Sequence, residues 1–149
     1  MGRTVALELC RCGIHVFIAD VDLAAAGKTV QAAERFTGKA EAHRVDVSNS
    51  SSVQSLFAGL KQRVERLDLL IHAAAILGQT VLIEQMADNE WRRMISVNLD
   101  GAFYCCREAV RWMKVHQTGR IILFSSVASL TPTPGALHYS AAKAGVNTL

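Results

Sequence analysis

The feature that most constrains this chain is its alternation between two periodicities. Residues 14–19, closed by Asp20, and residues 67–74 and 120–126 are short, mostly apolar runs, with residues 40–47 a weaker one. Helix-length segments separate them. Strands apolar on both faces with helices between them predict a parallel sheet covered by helices. Right-handed crossovers then make the fold α/β, a doubly wound parallel sheet. Ligands in such sheets bind at the carboxyl ends of the strands, where Asp20, Asp46, residues 72–75 and Ser126 fall.

The helices follow from spacing and caps. Residues 2–12 place Val5, Ala6, Leu9 and Cys10 on one face, and Gly13 sits where a left-handed C-terminal cap belongs. Asp22 caps a second helix whose inner stripe is expected to be Leu23, Ala26, Val30, Ala33 and Phe36. Ser50 or Ser51 starts a third, with Val53, Leu56, Phe57, Leu60 and Val64 on one side. Residues 76–88 read as loop with a short turn near 83–86, and residues 89–116 as a long helical region kinked near Gly101. Pro132 and Pro134 fall in the loop before a last helix beginning near His138. No linker or repeat divides the chain, so residues 1–149 are expected to form one domain.

Composition excludes several classes. Half of the residues are hydrophobic, which a disordered tail does not show. The net charge of +3 comes from scattered basic residues, and aromatics make up 6%, so no basic, aromatic-interleaved nucleic-acid face is expected. No apolar run reaches the ~18–20 residues that cross a bilayer, and the start lacks a leader-like apolar core. A soluble, cytoplasmic protein is expected. Cys10, Cys12, Cys105 and Cys106 lack zinc-knuckle spacing and read as small helix residues in a reducing compartment, with no metal.

Tyr139 and Lys143 share one helix face, a turn apart, so a phenol and an ammonium lie one above the other. The ammonium favours loss of the phenol proton, although the same spacing also describes an ordinary surface pair. Ser126 ends the fourth run and faces that helix across the proline loop, where a hydroxyl could hold a carbonyl oxygen beside the phenol. Asn98 lies mid-helix, where Asn is a mediocre helix former. It reads either as an exposed polar residue or as part of a kink whose free carbonyl holds a water near Lys143.

Together these segments resemble the short-chain dehydrogenases/reductases. The resemblance is carried by Gly119-Arg-Ile-Ile-Leu-Phe-Ser-Ser-Val-Ala-Ser, Pro134-Gly-Ala-Leu-His-Tyr-Ser-Ala-Ala-Lys-Ala-Gly, Ile95-Ser-Val-Asn-Leu-Asp-Gly-Ala-Phe and Val45-Asp-Val-Ser. It implies a Rossmann-like domain and an oxidoreductase moving a hydride between a nicotinamide cofactor and the carbonyl or secondary alcohol of a small molecule. Tyr139 would be the general acid/base, and Lys143 would acidify it and grip the nicotinamide ribose. Ser126 would orient the substrate oxygen, and Asn98 would anchor a water relay. Gly2, Asp46, Val47, Ala73, Ala74 and Ala75 fall at cofactor-binding positions, although Asp46 also reads as a turn aspartate. Asp20, at the ribose-binding position, favours NAD over NADP, because a carboxylate accepts from a 2′-hydroxyl and repels a 2′-phosphate.

Departures from the family pattern are equally specific. His72-Ala73-Ala74-Ala75 stands where Asn-Asn-Ala-Gly is usual, a form that also resembles reductase domains of polyketide assembly lines and, more loosely, epimerases. Asn98 and Ser126 favour the single-domain branch, and His72 is expected to be a hydrogen-bonded structural residue. Met1-Gly2 matches only the end of the family's glycine turn, so the first, central strand and the C-terminal strands of the pattern are not in this sequence. The sequence is therefore expected to be a window of a longer, homodimeric or homotetrameric enzyme. A short non-catalytic relative acting as a binding or structural partner is the alternative. Ala102, Cys106, Ala109, Val110 and Met113 read either as an oligomer face or as ordinary core.

Overall fold

The computed structural model describes residues 1–132 and 134–149, so Thr133, inside the expected proline loop, lies outside the described residues. The chain divides into two compact units, Met1–Asp46 and Val47–Leu149.

In the first unit, helix α1 (Gly2–Arg11) buries Ala6 and Cys10. Gly13, at φ +80°, turns the chain out of the helix as expected, its N–H donating to Cys10 O at 3.0 Å. Strand β1 (Val16–Asp20) follows, then α2 (Leu23–Ala33), whose first turn is capped by Asp22 accepting from Ala25 N at 3.0 Å. The inner stripe of α2 differs from expectation: Leu23 is exposed and Val30 half-buried, whereas Thr29 is buried. Thr29 can sit inside because its hydroxyl donates to Ala25 O, so no polar group is left without a partner. Strand β2 (Ala40–Arg44) pairs in parallel with β1, from Val16 opposite Ala40 to Asp20 opposite Arg44.

In the second unit, α3 (Ser50–Lys61) is capped by Asn49 rather than by a serine, its side chain accepting from Ser52 N at 3.1 Å. The helix buries Val53, Phe57 and Leu60 and packs on α5 (Gly101–His116), with Phe57 edge-on to Trp112 at 6.4 Å. Leu56 and Val64, expected on the same stripe, are half-buried. Strands β3 (Leu69–His72) and β4 (Arg120–Leu123) pair in parallel, Leu69 opposite Arg120 and His72 opposite Leu123. A single 3-10 turn (Ile83–Gln85) interrupts the loop after β3, as the sequence predicts.

The long helical region starts with α4 (Asp88–Ile95), passes through a π-helical turn (Ser96–Asp100) and continues as α5. The expected kink is thus a widened turn, in which Gly101 N donates to Ser96 O, five residues back. After β4 come a 3-10 turn (Val127–Ser129) and α6 (Leu137–Thr148). Gly145 lets α6 approach the π turn closely, since a Cβ there would stand 2.8 Å from Leu99 Cδ1.

The strands are parallel and alternate with helices, giving an α/β fold. Among the described residues β1 pairs only with β2 and β3 only with β4. The strands are shorter than the apolar runs suggest; the bonds that take over beyond β3 and β4 are described below.

One close approach makes a testable demand. At Gly38 a Cβ would lie 2.4 Å from Ile14 O and 2.6 Å from Cys10 O, both backbone atoms, whereas at Gly59 on α3 nothing lies within 4 Å. Gly38→Ala is therefore expected to cost about 2 kcal/mol or more through strain, while Gly59→Ala gains about 0.5–1 kcal/mol from helix propensity. Urea denaturation of the two variants reads both effects, and equal midpoints would contradict the packing at Gly38.

Candidate active site

The second unit carries the expected chemistry-bearing residues on the ends of β3 and β4, the π turn and α6. Lys143 lies on α6 one turn after Tyr139 and is 4% exposed. Its ammonium donates to Phe124 O, just past the end of β4, at 2.6 Å, and stands 5.8 Å from the centre of the Tyr139 ring. Burial lowers the Lys143 pKa below its usual 10.5. The pair is therefore no surface pair: the lysine is inside, and Tyr139 is half-buried beside it.

Two serines follow Phe124, and they do different work. The Ser125 hydroxyl donates to Lys143 O at 3.1 Å, fastening the loop to α6. Ser126 Oγ accepts from Ala128 N at 3.2 Å and so caps the 3-10 turn Val127–Ser129. The Ser129 hydroxyl donates to Ser126 O and in turn accepts from Asn147 Nδ2 on α6. Phe124 N still donates to His72 O at 3.3 Å, but from the Phe124 carbonyl onward these turn and helix bonds take over, and the expected strand to residue 126 stops at Leu123.

Asn98 is 1% exposed, so the exposed-residue reading is overturned. Its amide accepts from Ile76 N and donates to Ile76 O, both at 2.8 Å, and Nδ2 also meets Met94 Sδ. One side chain thereby satisfies both backbone groups of Ile76 in the segment leaving β3. This explains an Asn in mid-helix: the π turn aims it sideways at a segment that has left the sheet.

His72 ends β3, is 8% exposed, and its Nε2 has no hydrogen-bond partner. The expectation of a hydrogen-bonded structural histidine is thus not met at that nitrogen. Burial first, and the nearby Lys143 charge second, push its pKa from 6.5 down to about 4.

The remaining expected residues are dispersed. Ala73 is half-buried, Ala74 and Ala75 are exposed in the segment after β3, and Val47 is half-buried before α3. In the first unit Gly2 opens α1, Asp20 ends β1 exposed with Oδ1 accepting from Asp22 N at 3.0 Å, and Asp46 is exposed beyond β2. The structure joins Tyr139, Lys143, His72 and the Phe124–Ser126 segment. Among the described residues no hydrogen bond joins Ser126 to Tyr139.

The whole chain, residues 1–149, matches the short chain dehydrogenase family. The chain belongs to that family. It is 34% identical, over its full length and 54% of the relative's, to a 3beta-hydroxysteroid dehydrogenase of Mediterraneibacter gnavus. It is 33% identical to a 3-oxoacyl-[acyl-carrier-protein] reductase of Synechocystis, over 98% of this chain and 59% of that one. Among solved structures, a metagenomic short-chain oxidoreductase in complex with NADP is similar over 99% of this chain and 66% of its own, with TM-score 0.94 and 26% identity. The chain thus spans a little over half the length of the curated relatives it matches. Its fold is the Rossmann-like α/β fold of short-chain dehydrogenases.

Within this short-chain dehydrogenase sequence, reading by motif missed two groups. Phe124 enters through its carbonyl, which no side-chain pattern reveals. Ser125 was eclipsed by its neighbour, although the doubled serine after an apolar run was the available signal. Three of the five suggested oligomer-face residues, Ala102, Ala109 and Met113, are buried within the chain itself; Cys106 is half-buried and Val110 is exposed.

His72 sets a pH dependence whose sign is fixed. Its folded pKa lies below the unfolded value, so on acidification the unfolded chain takes up the proton first. The stability due to a neutral His72 is full above about pH 6.5 and is lost as pH falls towards about 4. The expected loss is about 3 kcal/mol. Denaturation midpoints across that window should fall more steeply for the parent chain than for His72→Asn; parallel curves would contradict the burial.

Proposed function

We propose that this chain carries the catalytic segment of a nicotinamide-dependent oxidoreductase that interconverts a carbonyl and a secondary alcohol on a small molecule. The observation that carries the reading is the buried Lys143 ammonium, held at 2.6 Å by Phe124 O one helical turn from Tyr139. A buried cation without a carboxylate partner is costly and is retained where chemistry uses it.

The residues suit the implied cofactor. An ammonium has three N–H donors, and Lys143 spends one on Phe124 O, leaving donors for ribose hydroxyls. Asp20 offers an exposed carboxylate for an adenosine 2′-hydroxyl, which supports NAD over NADP. The N-terminus of α1 at Gly2 is the natural end for a pyrophosphate, with Asp46, Val47 and Ala73 to Ala75 at the family's remaining cofactor positions. When bound, the nicotinamide supplies or accepts the hydride.

In the proposed reaction, Tyr139 donates its phenol proton to the substrate oxygen during reduction and recovers it during oxidation. Ser126 assists because its Oγ accepts from Ala128 N, which leaves its own O–H to donate to the same oxygen. The Asn98 amide is engaged by Ile76 and Met94 Sδ, so Asn98 serves through the π turn it stabilises and not by touching substrate. We also infer a dimer or tetramer when the protein has its relatives' length, supported by Phe103 and Val110 lying exposed on α5.

The test uses a version extended to the length of the relatives, assayed with NAD and a panel of secondary alcohols. Tyr139→Phe is expected to lower kcat/KM by about 10²–10⁴-fold, and an unchanged rate would overturn the assignment. Absence of turnover on every alcohol and ketone would favour the non-catalytic reading. In the same assay Asp20→Ala is expected to weaken NAD and move preference towards NADP by about tenfold; an unaltered ratio would remove Asp20 from cofactor choice.

A further inference from the structure

The segment that leaves β3 is fastened at both ends, and between the fastenings it bears on the helix turn that carries Tyr139. At one end the Asn98 amide holds both backbone groups of Ile76. At the other, Val81 N donates to Gly135 O at 2.9 Å, two residues before α6 begins. Residues 76–81 therefore form a strap from the π turn to the start of α6.

Two glycines, both in the left-handed region, let the strap lie close to the helix. A Cβ on Gly78 (φ +70°) would stand 2.7 Å from His138 Nε2 and 2.7 Å from Met94 Cε. A Cβ on Gly135 (φ +76°) would collide with Thr80 Cγ2. The contact is reciprocal: a glycine of the strap faces the helix, and a glycine before the helix faces the strap. The side chains that Gly78 meets have little room to give way, since Met94 is 1% and His138 2% exposed.

Capping does not fix the first turn of α6. Its N-cap is Ala136, whose methyl offers no acceptor to the first amides. The bonds that tie α6 to the segment after β4 are made at Lys143 and Asn147, a turn or more beyond Tyr139. His138, on which the strap bears, directly precedes Tyr139 in that uncapped turn, so a shift of one carries the other.

We propose that Gly78 is a positioning residue for Tyr139: by bearing on His138, the strap sets where the first turn of α6 lies and so where the phenol is held beside Lys143. A methyl at position 78 has two ways out. It pushes His138 aside, and Tyr139 with it, or it lifts the strap off its bonds to Asn98 and Gly135. Either way the turn loses its support, while the later part of α6 stays fastened through Lys143 and Asn147.

The consequence for turnover rests on the dehydrogenase reading, but the support of the turn is tested first in the 149-residue chain. Ser140 N donates to Ala136 O and reports on that turn, and Val53 N donates to Asn49 O and reports on α3. Amide hydrogen exchange at the two sites is compared by NMR in the parent, Gly78→Ala, His138→Ala and Gly13→Ala. Gly13, at φ +80° with Thr37 Oγ1 an ordinary 3.6 Å from its Cβ position, gives alanine the same backbone strain without the close contact. Gly78→Ala is expected to speed Ser140 exchange about tenfold relative to Val53, and Gly13→Ala to leave the ratio unchanged. His138→Ala removes the ring on which the strap rests and is expected to act as Gly78→Ala does, so it carries the test if Gly78→Ala does not fold. An unchanged ratio in the folded variants overturns the proposal. In the extended enzyme Gly78→Ala is expected to lower kcat by about 10–100-fold, with KM for NAD within about twofold of the parent. An unaltered kcat, or an equal fall in Gly13→Ala, overturns it too. An extended enzyme that turns over no alcohol or ketone sinks the dehydrogenase reading, and the exchange ratio then decides the strap alone.

Discussion

The short bond from the Lys143 ammonium to Phe124 O is the interaction around which the second unit is arranged. Taking an ammonium out of water costs several kcal/mol unless its donors find acceptors. Among the described residues no carboxylate supplies them, so the acceptor is a backbone carbonyl, one whose oxygen is not taken up by the sheet. β4 therefore stops at Leu123, and the next three residues are spent otherwise: Phe124 on Lys143, Ser125 on the backbone of α6, Ser126 on a 3-10 turn. A strand end, usually a boundary of little interest, becomes the part that aims the lysine.

The π turn is the matching device on the other side. An uninterrupted α-helix from Asp88 to His116 would leave Asn98 pointing where its helical position dictates. The widened turn at Ser96–Asp100 sends its amide to Ile76, and Gly145 allows α6 to come up against that turn. Two irregularities, a strand cut short and a helix widened, bring a buried cation, a phenol and a hydroxyl-bearing segment to the same end of the unit. Local regularity has been given up where the chemistry is proposed to occur, which is how functional sites commonly depart from ideal geometry.

Much of this was legible in the sequence because it depends on periodicity and on side-chain type. Gly13 and Asp22 announced a helix end and a helix start through backbone freedom and capping chemistry, and Tyr139 and Lys143 announced a shared face. Packing and long-range bonds were less legible. Thr29 replaced Leu23 in the core of α2 because a hydroxyl can satisfy itself on its own helix, which a hydrophobic stripe does not anticipate. Asn49 took the cap from Ser50 and Ser51 because the residue just outside the helix has the extended backbone needed to bring a side-chain oxygen to Ser52 N. Burial of Asn98 and the unpartnered His72 nitrogen both depend on contacts between residues far apart in the chain, and the Phe124 carbonyl is invisible to any reading of side chains. The family pattern located the catalytic candidates; their surroundings required the fold.

The central claim is that Lys143 is a buried, carbonyl-held cation in the native chain, unlike every other lysine it carries. Lys28, Lys39, Lys61 and Lys114 are all exposed. The most direct measurement is brief acetylation of the native chain at neutral pH, with site-by-site yields read by mass spectrometry. Lys143 is predicted to stay unmodified while the other four react, and to become as reactive as they are once the chain is unfolded in urea. Modification of Lys143 at the rate of its exposed counterparts in the native state would contradict the account.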